Sequence, residues 1–196
     1  ILNLLSENGF HYSLVSGVPG ACRLEEGARL SDSSLYKTGL VEIQDAGSQI
    51  AAASVPVKAG QSVVDYCAGG GGKALALAAA LGGKGQVFAY DIAANRLESL
   101  ARRAERAKAR NIQIVSDHAH LTRQISDMNG ADHVVLDVPC SGSGAIRRNP
   151  ETLWRFSADR LAELQQIQAQ ILDEAATLVK PGGTLTYITC SILLGE

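Results

Sequence analysis

Two cysteines in this chain of 196 residues stand where a nucleophile could act. Cys140 follows Asp137 and a proline within LDVPCSGSG, residues 136–144, and Cys190 closes the apolar stretch TLTYITC, residues 184–190. A thiolate can form a transient covalent bond with an electron-poor carbon. Because an ordinary thiol has a pKa near 8.5 and is only about 3% ionised at neutral pH, we expect nearby positive charge or a helix terminus to lower the pKa of a catalytic cysteine.

The elements that must position these cysteines follow from the hydrophobic pattern. From about residue 60 onward, short β-branched stretches alternate with longer helical patterns, which is typical of βα units on a parallel sheet. The predicted strands cover 62–66, 86–91, 111–117, 133–138 and 184–190. The predicted helices cover 73–81, 92–110 with an apolar stripe that begins at Ile92, and 157–179, which the PGG of 181–183 ends.

Acidic residues close four of the predicted strands, at Asp65, Asp91, Asp117 and Asp137. In an open parallel sheet, ligands bind at the carboxyl ends of the strands. The GGGG of 69–72 allows backbone N–H groups to approach a ligand, and the helix that begins near Lys73 directs its positive end to the same place. A carboxylate about 20 residues beyond such glycines can accept hydrogen bonds from both hydroxyls of a ribose. The sequence therefore predicts a site for a nucleoside cofactor.

The residues alone leave the identity of the cofactor open. Gly69, Gly71 and Ala74 satisfy the GxGxxG/A pattern of NAD-binding folds, so an NAD-dependent oxidoreductase is one interpretation. A phosphate-binding P-loop is excluded, because it would need glycine at Cys67 and a hydroxyl residue at Ala74. In a hydride-transfer enzyme the cofactor performs the chemistry, so cysteines at the ends of the last two strands would have no evident role.

Composition narrows the class of protein further. The net charge of −2 provides no global basic field, so attraction to a nucleic acid must come from local patches. The apolar stretches are shorter than the roughly 20 residues that a membrane span requires. The cysteines form no CxxC pair, and His118 and His120 lack a third ligand nearby, so we predict no metal site. We expect a soluble, cytoplasmic, monomeric protein, and a piece of a longer one.

Five stretches resemble the successive motifs of the Sun/Fmu-type RNA (cytosine-5) methyltransferases. They are DYCAGGGGK (65–73), AYD (89–91), SD (116–117), LDVPCSGSGAIRRNPETLW (136–154) and YITCS (187–191). The resemblance implies an α/β, Rossmann-like class I S-adenosylmethionine-dependent fold with a mostly parallel, doubly wound sheet. It also implies a catalytic domain over residues 41–196, incomplete at its C-terminus, after a flank or remnant of an RNA-binding region at 1–40. Where this chain has Gly69 and Gly70 or their neighbours, the family usually has alanine and proline, so the turn here is more flexible.

The resemblance further assigns S-adenosylmethionine to the predicted cofactor site. The loop that would wrap its amino-acid end consists of Cys67, Ala68, Gly69, Gly70, Gly71, Gly72 and Lys73. Asp91 would bind the ribose, Asp117 would lie near the adenine, and Asp137 would lie between the cofactor and the target base.

Cytosine chemistry gives the two cysteines a purpose, because carbon 5 of the ring is too weak a nucleophile to be methylated directly. A thiolate that adds to carbon 6 turns the ring into an enamine, whose carbon 5 can accept the methyl group. DNA enzymes of similar chemistry attack with the cysteine after a proline, which here is Cys140. The RNA family attacks with the cysteine of its TC motif, so the resemblance implies Cys190 as nucleophile and Cys140 as the residue that promotes release. Asp137 would bind N3 and the exocyclic amine.

The expected substrate is RNA, with ribosomal RNA ahead of transfer RNA. Arg147 and Arg148 could hold its phosphates, whereas for Trp154 we expect packing in the core rather than stacking on a base. A DNA cytosine methyltransferase would pair its PC with a downstream ENV-like motif, which is absent from the sequence. An NAD-dependent oxidoreductase and a catalytically inactive RNA-binding relative stay open as alternatives.

Overall fold

The N-terminal quarter of the chain forms short elements outside the main sheet. The computed structural model describes residues 2–18 and 20–196. Its first elements are helix α1 (Leu2–Glu7), the antiparallel hairpin of β1 (Tyr12–Leu14) and β2 (Cys22–Leu24), a 3-10 turn (Leu30–Asp32), α2 (Ser34–Lys37) and α3 (Ala46–Ala53). Asp45 caps α3, because its side chain accepts a hydrogen bond from the Gly47 N–H. The proposed division of the chain at residue 40 stays a prediction.

The remainder of the chain forms one parallel sheet with helices between its strands. The strands are β3 (Ser62–Asp65), β4 (Gln86–Tyr90), β5 (Ile112–Val115), β6 (Ala131–Asp137) and β7 (Val179–Ile188). The helices are α4 (Gly72–Ala80), α5 (Ala94–Arg106), α6 (His118–Asp127), α7 (Thr152–Arg155) and α8 (Ala158–Ala176), with a 3-10 turn at Ser143–Ala145. The strand order is β5-β4-β3-β6-β7, and every neighbouring pair is parallel. The predicted Rossmann-like, mostly parallel sheet is therefore confirmed.

The sheet is buried on both faces by two separate apolar clusters. Because side chains of a strand alternate between faces, Val63 and Val64 of β3 belong to different clusters. One cluster includes Leu77 of α4 and Leu100 of α5, and the other includes Leu121 of α6 together with residues of α8. Helices therefore cover both faces, as a doubly wound sheet requires. Among the described residues, no helix combines the length and the apolar character that crossing a membrane would need.

The order of the strands reverses next to β3, and this reversal creates the binding crevice. The chain runs from β3 outward to β4 and β5, then returns to place β6 on the other side of β3. Parallel pairing of Asp65 with Val135 and of Asp137 with Ile188 brings the ends of β3, β6 and β7 to one edge. Ligands of such sheets bind outside the carboxyl ends of the strands at this reversal.

The sequence-based boundaries of the last helix and strand are wrong. Helix α8 ends at Ala176 rather than at residue 179, and the PGG of 181–183 lies inside β7. The register of β7 on β6 jumps from Ala131 paired with Val179 to His133 paired with Thr184. The residues between bulge out of the ladder, and Lys180 forms an ion pair with Asp132 there. The sequence pattern predicts that the PGG of 181–183 ends a helix, whereas in the structure these glycines permit a bulge in β7.

The predicted stripe of the helix after β4 also needs correction at its first residue. Ile92 precedes the first turn of α5, which begins at Ala94, and its side chain is 91% exposed. Leu97 and Leu100 of the same stripe are buried as expected. Helices α3 and α6 carry no prediction, because their short patterns do not separate them from loops.

Packing of the glycine loop against α5 leads to a stability prediction. Gly71 has a φ of +85°, and a Cβ there would lie 2.2 Å from Cδ1 of Leu100. Gly83 has a φ of +74° and nothing within 4 Å of the same position. We expect Gly83→Ala to lower the free energy of unfolding by about 1 kcal/mol through backbone strain alone. Gly71→Ala should cost about 1–3 kcal/mol more, because Leu100 must also move. Urea denaturation of both variants measures the difference, and equal losses would contradict the contact.

Candidate active site

A cavity of about 920 Å³ opens at the carboxyl edge of the sheet. It is walled by the loop after β3, by the residues after β4 and β6, and by one side of α8. The predicted site residues that line it are Cys67, Ala68, Gly69, Gly70, Gly72, Lys73, Asp91, Asp137 and Cys140. Its volume lies within the range of sites for cofactors and small ligands.

The glycine loop is tied to the end of β4 through the carboxylate of Asp91. Asp91 is buried, and its Oδ2 accepts a hydrogen bond from the Gly69 N–H at 2.9 Å, while its Oδ1 accepts one from the Ala93 N–H at 2.8 Å. Arg103 donates to the Gly70 carbonyl oxygen at 2.6 Å, which holds the loop against α5. Because each carboxylate oxygen can accept a second hydrogen bond, Asp91 retains capacity for hydroxyl groups of a ligand.

Asp65 is a site residue that the sequence interpretation did not include among the ligand contacts. Its side chain lines the cavity and is 1% exposed, and within the described chain neither carboxylate oxygen has a hydrogen-bond partner. Burial raises the pKa of Asp65 to about 7, with Asp137 and Asp91 adding to the rise and Lys73 opposing it. A buried carboxyl group in this state fits a cationic group of a ligand. Its place at the start of the DYCAGGGGK stretch was the available signal.

Lys73 and Asp137 form an ion pair between the cofactor loop and the end of β6. Nζ of Lys73 lies 2.5 Å from Oδ2 of Asp137, and the Lys73 side chain is only 10% exposed. Asp137 keeps 36% exposure of its side chain and lines the cavity beside Cys140. A charge-assisted hydrogen bond of this kind fixes the direction of the carboxylate. Lys73 therefore orients the Asp137 carboxylate at the edge of the cavity.

The sulfurs of Cys140 and Cys190 meet at this edge of the sheet, with Sγ atoms 3.1 Å apart. They follow β6 and β7, whose last paired residues are Asp137 and Ile188. Cys140 is half-buried on the cavity wall, and Cys190 is exposed. The Gly144 N–H donates to the Cys190 carbonyl oxygen at 2.8 Å, which holds the two loops together. The two thiols can therefore act on the same substrate atom or its neighbour.

A cluster of hydroxyl groups and one carboxylate fixes the loops that carry the cysteines. The Oγ atoms of Ser141, Ser143 and Ser191 lie 3.1–3.2 Å apart. Glu196 accepts hydrogen bonds from the Ser141 N–H and from Oγ of Ser191, both at 2.7 Å. The small residues after Pro139 therefore link the loop after β6 to the loop after β7.

Aromatic and aliphatic side chains line the part of the cavity nearest β4. The rings of Tyr66 and Tyr90 have centroids 5.0 Å apart, and Oη of Tyr66 donates to Glu174 at 2.8 Å. Ile92, directly after Asp91, exposes nearly all of its side chain and also lines the cavity. A flat ring can lie against such a surface, because it offers apolar contact without competing polar groups.

Five predicted site residues lie outside the lining of this cavity: Gly71, Asp117, Arg147, Arg148 and Cys190. Gly71 packs against Leu100 of α5. Cys190 lies next to the cavity, because its sulfur contacts the sulfur of Cys140, which is a lining residue. Asp117 is exposed and caps α6 by accepting a hydrogen bond from the His120 N–H at 2.9 Å. Its placement near an adenine therefore stays a prediction.

The residues expected to contact RNA differ from one another in the structure. Arg148 forms an ion pair with Asp45, whereas Arg147 is exposed and forms no ion pair within the described chain. The expectation that Trp154 packs in the core is wrong, because its side chain is 90% exposed. The helix that carries it, α7, is only four residues long and has no buried residue.

The ionisation of Cys190 contradicts the expectation of a lowered pKa. Although part of Cys190 is exposed, partial desolvation raises the pKa of its thiol to about 11, and the hydrogen bond with Cys140 and the negative charge of Asp137 add to the rise. The Cys190 thiol is therefore protonated at neutral pH. Positive charge that arrives with a bound ligand would favour the thiolate.

This state of Cys190 predicts its rate of alkylation. The rate with iodoacetamide should rise tenfold per pH unit between about pH 8 and pH 10, whereas an ordinary thiol levels off near its pKa of about 8.5. Peptide mass spectrometry measures the rate at Cys190, with glutathione as the control. Cys140→Ala should speed the reaction at pH 8, because it removes the hydrogen bond that favours the protonated form. A plateau near pH 8.5 in the unmodified chain would contradict the raised pKa.

This chain is similar in sequence and in fold to known methyltransferases. Ribosomal RNA small subunit methyltransferase B of Cronobacter sakazakii is 34% identical over 195 residues, which is all of this chain and 45% of the relative. The chain therefore spans less than half the length of this curated relative. A methyltransferase homologue from Pyrococcus horikoshii is 28% identical with a TM-score of 0.85, over all of this chain and 61% of that one. NSun6 from the same organism, solved with SFG, is 27% identical with a TM-score of 0.74, over 86% of this chain and 43% of that one.

The family match covers the entire parallel sheet and all of the cavity lining except Ile43, Gln44 and Ser48. The model of the family described as 16S rRNA methyltransferase RsmB/F matches residues 52–196, which include β3 through β7. Family and fold favour methyl transfer over the NAD-dependent alternative, which gave the two cysteines no role. With the glycine loop, the acidic strand ends and the paired cysteines all inside the matched region, the chain belongs to the 16S rRNA methyltransferase RsmB/F family.

Proposed function

We propose that this chain carries the catalytic site of an S-adenosylmethionine-dependent methyltransferase that acts on carbon 5 of cytosine in RNA, with ribosomal RNA as the substrate class. The observation that carries the proposal is the approach of the Cys140 and Cys190 sulfurs to 3.1 Å beside the cavity. A cofactor that performed the whole reaction would need neither thiol. A covalent intermediate on the pyrimidine uses both, one to form it and one to release it.

The cavity residues fit S-adenosylmethionine group by group. Asp65, which is buried and has no hydrogen-bond partner among the described residues, would pair with the ammonium group of the cofactor. Asp91 would accept hydrogen bonds from the ribose, and Ile92 offers an apolar surface to the adenine. The loop of Cys67 to Lys73 would wrap the amino-acid end. When bound, this cofactor supplies an electrophilic methyl group, and its sulfonium brings positive charge to a cavity whose lining includes four carboxylates, those of Asp65, Asp91, Asp137 and Glu174.

The chain's own residues would prepare the cytosine for that methyl group. The Cys190 thiolate forms a bond to carbon 6, and the electron pair of the carbon 5–carbon 6 double bond becomes available on carbon 5. Asp137, held by Lys73, accepts a hydrogen bond from the exocyclic amine and stabilises positive charge at N3, which draws electrons from carbon 6.

Release of the product requires the bond between carbon 6 of the cytosine and the Cys190 sulfur to break. Cys140 lies close enough to the Cys190 sulfur to give its own proton to the departing thiolate as the bond between carbon 6 and sulfur breaks. The Cys140 sulfur then takes the proton that carbon 5 loses, and the double bond between carbon 5 and carbon 6 re-forms. The serine cluster and Glu196 keep the two loops in register during both steps.

Separate roles for the two cysteines predict opposite behaviour of their variants. With methyl-tritiated S-adenosylmethionine and ribosomal RNA, Cys190→Ala should form no covalent protein–RNA adduct. Cys140→Ala should accumulate an adduct that survives a denaturing gel, because it can form the bond but not release it. Turnover should fall by at least about 100-fold in each variant.

Cys22→Ala serves as the matched control, since Cys22 lies in the β1–β2 hairpin outside the cavity lining. It should form product at the unmodified rate. An adduct in Cys190→Ala and none in Cys140→Ala would reverse the assignment. Full-length protein that transfers no label to any RNA would instead support the inactive relative.

The raised pKa of Asp65 predicts how the affinity for S-adenosylhomocysteine depends on pH. Below about pH 7 the carboxyl group is protonated and must lose its proton before it can pair with the ligand's ammonium group. Affinity should therefore rise with pH by up to about tenfold per unit below pH 7 and level off above it. Titration calorimetry between about pH 5.5 and 8.5 measures this dependence.

Two variants separate Asp65 from other titrating groups. Asp65→Asn should bind more weakly above pH 7 and lose the pH dependence, because the amide cannot ionise. Asp127→Asn makes the same chemical change at an exposed position near the end of α6 and should bind as the unmodified chain does. Unchanged pH dependence in Asp65→Asn would sink the proposed contact.

A further inference from the structure

Helix α7 exposes an apolar surface that the fold itself does not cover. Trp154 is 90% exposed, Leu153 is 60% exposed, and Phe156 directly after the helix is 48% exposed. Large apolar side chains grouped in this way on a protein surface are characteristic of binding sites. We call this surface, formed by Leu153, Trp154 and Phe156, the α7 patch.

The α7 patch adjoins the loop after β6, which carries Cys140. Gly142 lies two residues after Cys140, and a Cβ on it would lie 3.7 Å from Cγ2 of Thr152, the first residue of α7. The turn at Gly144 is in turn bonded to the Cys190 carbonyl. A polymer whose reacting base reaches the two sulfurs would therefore pass close to α7.

Two arginines beside the α7 patch form no ion pair within the described chain. Arg147 and Arg155 are exposed and have no carboxylate partner within the described residues. Arg148 is paired with Asp45 and Arg160 with Glu163, so these two arginines are already neutralised. Glu151 and Asp159 are also exposed near α7, so the local charge is balanced, and a polyanionic occupant is favoured only by the two guanidinium groups without an ion pair, one before α7 and one at its end.

We propose that the α7 patch binds single-stranded RNA next to the target cytosine, with Trp154 stacked on a neighbouring base and Arg147 and Arg155 on the adjacent phosphates. This inference rests on the proposed function. A base that leaves its stack to enter a catalytic pocket exposes the faces of its neighbours. An indole beside the pocket can replace the lost stacking partner, and arginines can hold the backbone. Arg155 thereby takes the phosphate-binding role that the sequence gave to Arg148.

Intrinsic fluorescence tests this directly, because Trp154 is the single tryptophan of the chain. The probe is a single-stranded RNA of about nine nucleotides with one central cytosine, added to the chain without cofactor. Stacking should quench the emission in a saturable way. The same sequence as a duplex, at equal nucleotide concentration, should quench far less, since its bases are already stacked.

Variants divide the binding between the indole and the arginines. Trp154→Ala, followed by anisotropy of labelled RNA, should weaken single-strand binding by about 5- to 150-fold, and Trp154→Phe should keep most of the affinity. Arg147→Ala and Arg155→Ala should weaken binding of both RNAs and lower the salt dependence by about one ion each. Met128→Ala removes another exposed apolar side chain, at the end of α6, and should leave the affinity unchanged.

Several outcomes would overturn the proposal. One is emission at short wavelength with no quenching by iodide, which would mean that protein, such as a second copy of the chain, covers the indole. Another is equal quenching by duplex and single strand, and a third is full affinity in Trp154→Ala. Failure of the methyl-transfer assay alongside saturable single-strand quenching would sink the proposed activity but not the RNA surface.

Discussion

The parallel register of β3, β6 and β7 is the constraint on which the candidate site depends. It sets Asp65 level with Val135 and Asp137 level with Ile188, so residues far apart in sequence emerge at one edge. Cys140 and Cys190 are 50 residues apart in the chain and 3.1 Å apart at their sulfurs for this reason. A slip of one residue would turn alternate side chains of β7 to the opposite face and move Cys190 along the edge. Leu185 and Ile188 of β7 pack against the two apolar clusters on opposite faces of the sheet, and such a slip would remove each from the cluster that it contacts.

The carboxylates of the site favour a cationic ligand. Asp65 and Asp91 are buried and Asp137 faces the cavity, while Lys73 pairs with Asp137 and Arg96 lies 3.8 Å from Asp91. The same negative environment that suits a sulfonium and an ammonium group raises the pKa of Cys190 in their absence. Positive charge on a ligand bound in the cavity would therefore favour the thiolate of Cys190, the nucleophile of the proposed reaction.

Much of the fold followed from sequence, because glycine turns and β-branched stretches have direct backbone consequences. The five strands and the acidic residues at or just beyond the ends of the first four are local patterns. The excursion of 180–183 within β7 was missed, because it depends on pairing with β6 and on the ion pair of Lys180 with Asp132. Similarly, no local sequence pattern indicates that the Asp65 carboxylate lacks a hydrogen-bond partner among the described residues, or that Trp154 is exposed. Both depend on which distant elements pack around a side chain, and hydrophobicity alone predicted the wrong environment for the tryptophan.

The spacing of the two sulfurs carries a further cost for the protein. A disulfide bond is about 2.05 Å long, so two thiols at 3.1 Å need to move by only about 1 Å to be joined by a two-electron oxidant. Such a cross-link would consume both thiols of the proposed reaction, and it would also join the loop after β6 to the loop after β7. The spacing that suits the proposed covalent chemistry thus makes the site vulnerable to oxidation, and that chemistry would require a reducing environment.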